Sequence, residues 1–330
     1  MRFPNFITSL QARHERALES NHLVFIPTQI FHLNSKAGVR CEIRFAPSLA
    51  KKSVSSPSKQ SSLDLDPFAP PYIPELFICQ SEDCEKEDGY VVLLNKFCVV
   101  PRHFLLVTSA YRPQATPPAP EDLFAIYSLL RQAQTLDPNS EWISFFNCGP
   151  HSGASQPHKH FQFIPVEMGG NPFGELLVRS APPKIGDVYN VSEIGYAHFA
   201  CAIPPELGIK IGDDETEATL GKLFMTMLDS MIDHLRHLPF EEGSPSPSIG
   251  SQGLSYNLVM TTRYMLLVPR SREKFLAQGL SINSLGVGTG MVLVKTEAEL
   301  EEAQRVGIDE VLLGVTFPIL KDVINPCDHG

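Results

Sequence analysis

Two imidazoles and one amide recur at every second position of the stretch Ser155-Gln156-Pro157-His158-Lys159-His160-Phe161-Gln162-Phe163-Ile164-Pro165. Successive side chains of a β-strand point to opposite faces, so this spacing puts His158, His160 and Gln162 on one face and Lys159, Phe161 and Phe163 on the other. The phenylalanines are candidates for anchoring the strand to a core. That leaves a polar row with a step of about 7 Å per two residues, matched to a ligand lying across it. Directly upstream, Gly153, Ala154, Ser155 and Gln156 make a small-residue loop whose backbone N–H groups and Ser155 hydroxyl can cradle a phosphate. A neutral imidazole beside such a loop can attack phosphorus, because it is abundant near pH 7 and forms a labile P–N bond. Taken alone, the histidine pair fits equally well as structural, hydrogen-bonded side chains.

The chain that must position these groups has 330 residues, 43% of them hydrophobic, enough for a sizeable core in one large domain or two smaller ones. Its formal net charge of −10 opposes attraction to a polyphosphate backbone. A small anion, met by a few local basic groups, is the expected partner, with no nucleic-acid polymer. The seven cysteines (41, 79, 84, 98, 148, 201 and 327) are odd in number and lack paired spacing. A disulfide framework and a thiolate-held zinc are therefore disfavoured, and a reducing compartment is expected. The first residues turn charged without an apolar core segment, and no run of eighteen apolar residues occurs, so no membrane association is expected and the cytoplasm or nucleus is the expected location.

Periodicity predicts a helix over 6–19, a strand over 39–45 and a helix over 121–136 on Leu123, Ile126, Tyr127 and Leu130. The runs 90–100 and 103–108 read as strands meeting in a tight antiparallel connection at Pro101 and Arg102. Strands are also predicted over 141–147 and 158–165. The Ser- and Pro-rich segment 51–72 reads as a long loop, as does 240–253. After a less regular region to about 215, the stripe from Leu220 to Leu235 predicts a core-facing helix over 220–238. Strands over 255–261, 264–269 and 290–295 follow, and Thr296 with Glu299 predicts a capping box for the next helix. The fold class is α/β (α+β): a mostly antiparallel sheet flanked by helices, with additional C-terminal strands and helices. A catalytic half at 1–170 and a completing half at 171–330 are expected, as two domains or one unit.

Several separated blocks, LLNKFCVVPRHFLLVT (93–108), PEDLFAIYSLL (120–130), FFNCGPHSGASQPHKHFQFIP (145–165), SYNLVM (255–260) and SINSLGVGTGMVLVK (281–295), with RFAPSLAKK (44–52), resemble the histidine triad superfamily. Within it they are most similar to the transferase branch, the fungal diadenosine tetraphosphate (Ap4A) phosphorylases or ATP adenylyltransferases. The resemblance implies a mechanism in which His160 is the nucleophile, becomes adenylylated as ATP leaves, and passes its adenylyl group to inorganic phosphate to give ADP. Gln162 stands where hydrolases of the superfamily carry a third histidine, as it does in similar transferases, and His158 is expected to orient the site. Asn147, Gly153, Ala154, Ser155 and Gln156 match positions that hold phosphate or ribose. Asn95 and Lys96 interrupt an apolar run, and Lys96 supplies positive charge. Lys52, or its neighbour Lys51, matches a substrate lysine, and Asn283 and Lys295 match distal contacts, with Gly290 and Met291 lining the approach.

No metal site held by the protein is expected; the resemblance implies a divalent cation, Mg²⁺, carried by the substrate phosphates. The glycines of LGVGTG permit close backbone approach to a ligand, yet they lack the surroundings of a dinucleotide-binding fingerprint. The reading is a monomeric nucleotidyltransferase acting on Ap4A, phosphate, ADP and ATP, with adenosine 5′-phosphosulfate as a second substrate. A dinucleoside polyphosphate hydrolase and a non-catalytic nucleotide-binding protein are the alternatives.

Overall fold

A computed structural model describes residues 3–54, 66–82, 89–182, 184–239, 253–275 and 279–320, with the side chains of 51–54 left out. In chain order the strands are β1 (Val24–Phe25), β2 (Gln29–Asn34), β3 (Arg40–Phe45), β4 (Phe77–Gln80), β5 (Tyr90–Leu94), β6 (Phe97–Cys98), β7 (Phe104–Thr108), β8 (Ser140–Cys148) and β9 (His160–Glu167). They continue with β10 (Phe199–Ala202), β11 (Tyr256–Met260), β12 (Tyr264–Pro269), β13 (Lys274–Phe275), β14 (Leu280–Ser281) and β15 (Met291–Val294). The helices are α1 (Phe6–Glu19), α2 (Pro47–Val54), α3 (Pro120–Leu136), α4 (Pro172–Arg179), α5 (Asp213–His237), α6 (Ser284–Thr289), α7 (Glu297–Val306) and α8 (Ile308–Leu313).

An eight-stranded antiparallel sheet forms the middle layer, in the order β10-β12-β11-β8-β9-β7-β5-β4. Both its faces are covered, which is why its strands read as near-continuous apolar runs. On one face Trp142, Phe146, Phe161 and Phe163 join a core with α1, α3 and α5; on the other Ile143, Phe145, Ile164 and Val166 pack towards the three-stranded sheet β15-β3-β2 and helices α4, α6, α7 and α8. Phe163 stacks on Phe104 at 4.5 Å between ring centroids, holding β9 to β7 from the first face. A smaller cluster of Phe68, Val91, Leu93, Leu105 and Val107 lies on the second face under segment 66–72.

The main sheet draws strands from both sides of residue 170. Its β8 pairs with β11 from Tyr256 opposite Cys148 to Met260 opposite Ser144, and β15 from near the C-terminus runs parallel to β3.

Four expectations need correction. The strands around Pro101 and Arg102 pair antiparallel, Tyr90 opposite Thr108 through Leu94 opposite Phe104, but not across a two-residue turn. The run breaks at Asn95, whose Oδ1 faces the Phe97 N–H, and Phe97 and Cys98 turn aside to pair in parallel with Val24 and Phe25. Helix α2 runs to Val54, into a segment read as loop. Helix α5 starts at Asp213 rather than Leu220, because Asp213, Asp214 and Glu215 fill a first turn where acidic residues complement the helix dipole, a signal that an apolar stripe does not carry. Finally, β9 begins at His160, so that His158 stands just ahead of the strand in a lone bridge to Pro113. The Thr296–Glu299 capping box is present, the Thr296 hydroxyl accepting from Glu299 N at 3.1 Å. Loop 240–253 lies outside the described residues except at Gly253.

Candidate active site

The polar row occupies the seam between two apolar clusters. Gln162 is opposite Leu105 on one neighbouring strand and Phe145 on the other, and His160 is opposite Val107, so the row lies where the packing of the second face gives out. His160 is almost wholly buried. Its Nδ1 lies 2.8 Å from the His158 carbonyl, which can only accept, so the proton of the neutral ring sits on Nδ1 and Nε2 keeps its lone pair. Burial, the largest influence, lowers the pKa of His160 to about 4.

His158 is held at both ring nitrogens. Nδ1 is 2.6 Å from the Asp66 carboxylate, and Nε2 is 2.8 Å from the Thr108 carbonyl and 3.0 Å from its hydroxyl. Phe68, two residues past Asp66, covers His160 with a ring centroid separation of 5.0 Å. The start of β9 is fixed by Gln114: its Oε1 accepts from His160 N at 2.8 Å, and its Nε2 donates to the Asn147 carbonyl at 2.8 Å.

Two clefts meet at Gln162 and Asn283. The first, of about 280 Å³, is lined by Asn147, Gly153, Ala154, Ser155, Asn283 and Lys295 among others; Glu273 and Ser281 stand on the same wall. The second, of about 170 Å³, is more apolar, with Leu49, Phe97, Val99, Phe145, Leu285, Met291 and Leu293 around Asn95, His103 and Arg44. Together they offer a polar half with donors and one cation, and an apolar half of the kind that takes a flat heterocycle.

The structure thus brings together most of the residues singled out in the sequence, but not all. Gly290 lies in neither cleft: it ends α6 at φ 77°, where a Cβ would come within 3.0 Å of Cys41 Sγ and 3.4 Å of Phe173. Gly288 likewise serves packing, since a Cβ there would come within 2.3 Å of Val259 on β11. Close backbone approach is real here, but to the sheet. Gln156 is half-buried and outside both linings, Lys96 is exposed with its Nζ 5.7 Å from the Phe97 ring centre, and the side chain of Lys52 lies outside the described residues. Gly153 has φ 82°, and a Cβ would meet the Ile282 carbonyl at 3.0 Å, so the loop lies against the chain carrying Asn283.

Sequence reading missed Asp66, Phe68, His103, Gln114, Asn257, Arg270, Ser284 and Glu273. His103 and Arg270 carry a faint signal, as a titratable residue at the edge of an apolar strand; Gln114 lies in a Pro-rich stretch between predicted elements, where no periodicity marks it. Burial also lowers the pKa values of His103 and His198 to about 4. Unfolded histidine binds a proton near 6.5 whereas these three buried rings do so only near 4, so unfolding takes up protons between those values. Stability is therefore complete above pH 6.5 and falls as the pH drops towards 4, by about 3 kcal/mol for each ring at the acid end. Urea unfolding at pH 7.5 and pH 5 is expected to show a much lower midpoint at pH 5; equal midpoints would refute the assignment.

Among the described residues, no group of three or more His, Cys, Asp or Glu is gathered as a metal site, and no helix is long and apolar enough to cross a membrane. His158 and His160 line neither cleft, but β9 carries Gln162, which lines both. A buried neutral imidazole thus stands two residues from the place where a polar cleft and an apolar one meet, an arrangement suited to nucleotidyl transfer. The family models point the same way: one described as the Ap4A phosphorylase N-terminal domain matches residues 3–176, and one described as the ATP adenylyltransferase C-terminal domain matches 192–318. Diadenosine 5',5'''-P1,P4-tetraphosphate phosphorylase 2 of Saccharomyces cerevisiae is 33% identical over 291 residues, 84% of this chain and 83% of that protein. Protein APA1 of the same yeast is 27% identical over 328 residues, 96% of each chain. The crystal structure of yeast Ap4A phosphorylase Apa2 superimposes with a TM-score of 0.75 at 30% identity, over 95% of this chain and 98% of that one; the structure of its complex with Ap4A gives 0.73 at 28% identity over the same shares. The chain belongs to the Ap4A phosphorylase family.

Proposed function

We propose that the protein cleaves Ap4A with inorganic phosphate to give ADP and ATP, reversibly, through an adenylyl group carried on His160. The observation that carries this reading is the state of that ring: buried, neutral, protonated on Nδ1 by its bond to the His158 carbonyl, with the Nε2 lone pair free. In the first step Nε2 attacks the α-phosphorus, the P–N bond forms, and the bond to the bridging oxygen breaks with release of ATP. In the second, an oxygen of inorganic phosphate attacks the same phosphorus, the P–N bond breaks, and ADP leaves. Gln162 binds the transferring group without offering a second proton-cycling imidazole, which favours phosphate over water as acceptor. His158, fixed by Asp66 and Thr108, orients His160.

The apolar cleft suits an adenine; Asn147, Ser155, Asn283 and Lys295 suit phosphate and ribose oxygens. Lys52 at the end of α2 is assigned to the substrate phosphates with them. Mg²⁺ enters on those phosphates, for which the Glu273 carboxylate in the polar cleft is a fitting hard oxygen neighbour. Adenosine 5′-phosphosulfate offers the same adenylyl phosphorus with sulfate as leaving group. We place the protein in the cytoplasm or nucleus as a monomer, in keeping with its free, buried cysteines at 41, 79, 98, 148 and 201.

The decisive experiment supplies Ap4A and Mg²⁺ with and without ³²P-labelled inorganic phosphate and resolves the nucleotides. Label entering ADP, with no turnover when phosphate is omitted, is the expected result. AMP formed without phosphate would make the protein a hydrolase, and no turnover with a bound nucleotide would make it a binding protein.

A further inference from the structure

Both amides that face the transferring group, Asn147 and Gln162, are touched from behind by groups of fixed hydrogen-bond polarity. An amide's two ends differ only in being donor or acceptor, so its orientation follows from the nearest partner that can play a single role. For Asn147 that partner is the backbone N–H of Ser284, 3.1 Å from Oδ1, joined by the Asn257 Nδ2 at 2.9 Å. Asn257 is itself fixed twice over. Its Nδ2 donates to the Ser152 carbonyl at 2.9 Å, and its Oδ1 accepts from the Arg270 guanidinium at 2.6 Å. Arg270 is buried, and among the described residues its remaining N–H groups reach backbone carbonyls, those of Val315, Arg272 and Glu273 at 2.9 to 3.3 Å and of Ser152 at 3.5 Å. A buried guanidinium bonded to carbonyls and an amide, rather than to a carboxylate, is costly for stability alone.

The second chain begins at the Phe97 N–H, which points at Asn95 Oδ1 and so turns Asn95 Nδ2 towards His103, 3.0 Å from its Nδ1 and 3.2 Å from its Nε2. With the nearer nitrogen, Nδ1, as the acceptor, the ring's proton lies on Nε2, 3.1 Å from Gln162 Oε1. The low pKa of His103 agrees, since a doubly protonated ring would offer Asn95 no lone pair. In each chain the amide oxygen is consumed from behind and the NH₂ group is left for the cleft that Asn147 and Gln162 line.

We propose that Arg270, acting through Asn257, and His103, backed by Asn95, are positioning residues that lock the Asn147 and Gln162 amides with their N–H donors turned towards the phosphoryl oxygens. The inference rests on the adenylyl-transfer reading above. A freely rotating amide would present its oxygen to an anion part of the time; a locked one presents donors at no reorganisation cost when charge develops. Sequence separations of 59 between His103 and Gln162, and of 110 between Asn147 and Asn257, make this a device of the tertiary fold.

The test uses the full chain and the single-turnover rate of adenylylation by Ap4A, with AMP affinity and melting temperature measured alongside. His103→Phe removes the donor to Gln162 and is expected to slow adenylylation by about 10- to 100-fold. His103→Asn, whose amide can still donate, should restore most of the rate. Adding His103→Phe to Gln162→Ala should change the rate by less than about twofold, because the residue acts through Gln162; Asn257→Leu should behave likewise on Asn147→Ala. An undiminished effect of either second substitution overturns the proposal. So does a ¹⁵N-histidine spectrum of the wild-type protein showing His103 protonated on Nδ1, a readout that needs no turnover. A wild-type protein that is never adenylylated would sink the functional reading instead, and the histidine spectrum would still decide this one.

Discussion

His160→Ala is expected to lower adenylylation by Ap4A by at least about 10⁴-fold, because among the described residues no other imidazole offers a free nitrogen at that point and loss of a nucleophile is among the largest single effects in enzyme variants. His158 cannot substitute, with Asp66 on one ring nitrogen and Thr108 on the other. The wild-type pH profile sharpens the prediction. Burial holds His160 near 4, so its charged form is disfavoured and the ring stays nucleophilic down to that pH. The rate of the first half-reaction should therefore be flat from pH 7 to about pH 5 and fall only as the pH approaches 4, whereas a solvated imidazole would lose half its rate near 6.5. Ap4A is a good probe because it has no monoester phosphate to titrate in this range. A midpoint near 6.5 would mean that the ring is hydrated in solution. Retention of a tenth of the rate in His160→Ala would remove it from the chemistry altogether.

How far the sequence reveals this site depends on the range of the interactions. The alternation of His160 and Gln162 against Phe161 and Phe163 is a strand periodicity, visible within one short stretch, and both phenylalanines do enter the core beside Trp142. Helix α1 and the antiparallel pairing of β5 with β7 are legible for the same local reason. Residues 171–215 are not: β10 is only four residues long and finds its place by pairing with β12, and α4 opens on Pro172 after an Asn171 cap that accepts from Gly174 N at 3.0 Å. Gly290 shows the opposite failure. A glycine-rich run suggests a ligand when the chain it approaches cannot be seen, and here that neighbour is Cys41 with Phe173. The groups that aim the amides were the least visible, since donor and acceptor partnerships across a sheet leave no spacing in the chain.

Lys159→Met is expected to destabilise the protein by about 3–5 kcal/mol, the largest effect on stability predicted for any residue of the catalytic stretch. Lys159 lies between the two histidines and points to the opposite face, where periodicity predicts a core neighbour rather than a charge. It is 1% exposed, and its Nζ sits 2.8 Å from Asp122 Oδ2 and 3.0 Å from the Pro117 carbonyl. Asp122, at 0% exposure, also accepts from the Tyr90 hydroxyl at 2.6 Å and from Ala119 N at 2.9 Å. The carboxylate thereby ties the first turn of α3 to β5 and to the start of β9. Removing the ammonium leaves that carboxylate buried with two neutral donors and the Arg112 guanidinium 4.0 Å from Oδ1, and the cost of a poorly compensated buried charge exceeds the worth of the pair itself. Lys159→Met combined with Asp122→Leu removes both charges and should therefore cost less than the sum of the single substitutions. It will not return to zero, because Tyr90, Ala119 and Pro117 lose their partner. Urea unfolding of the four proteins at pH 7.5 measures this cycle directly. Additive single effects, or a loss below about 1 kcal/mol for Lys159→Met, the range of exposed pairs, would show that the pair is hydrated and that β9 owes its position to the phenylalanines alone.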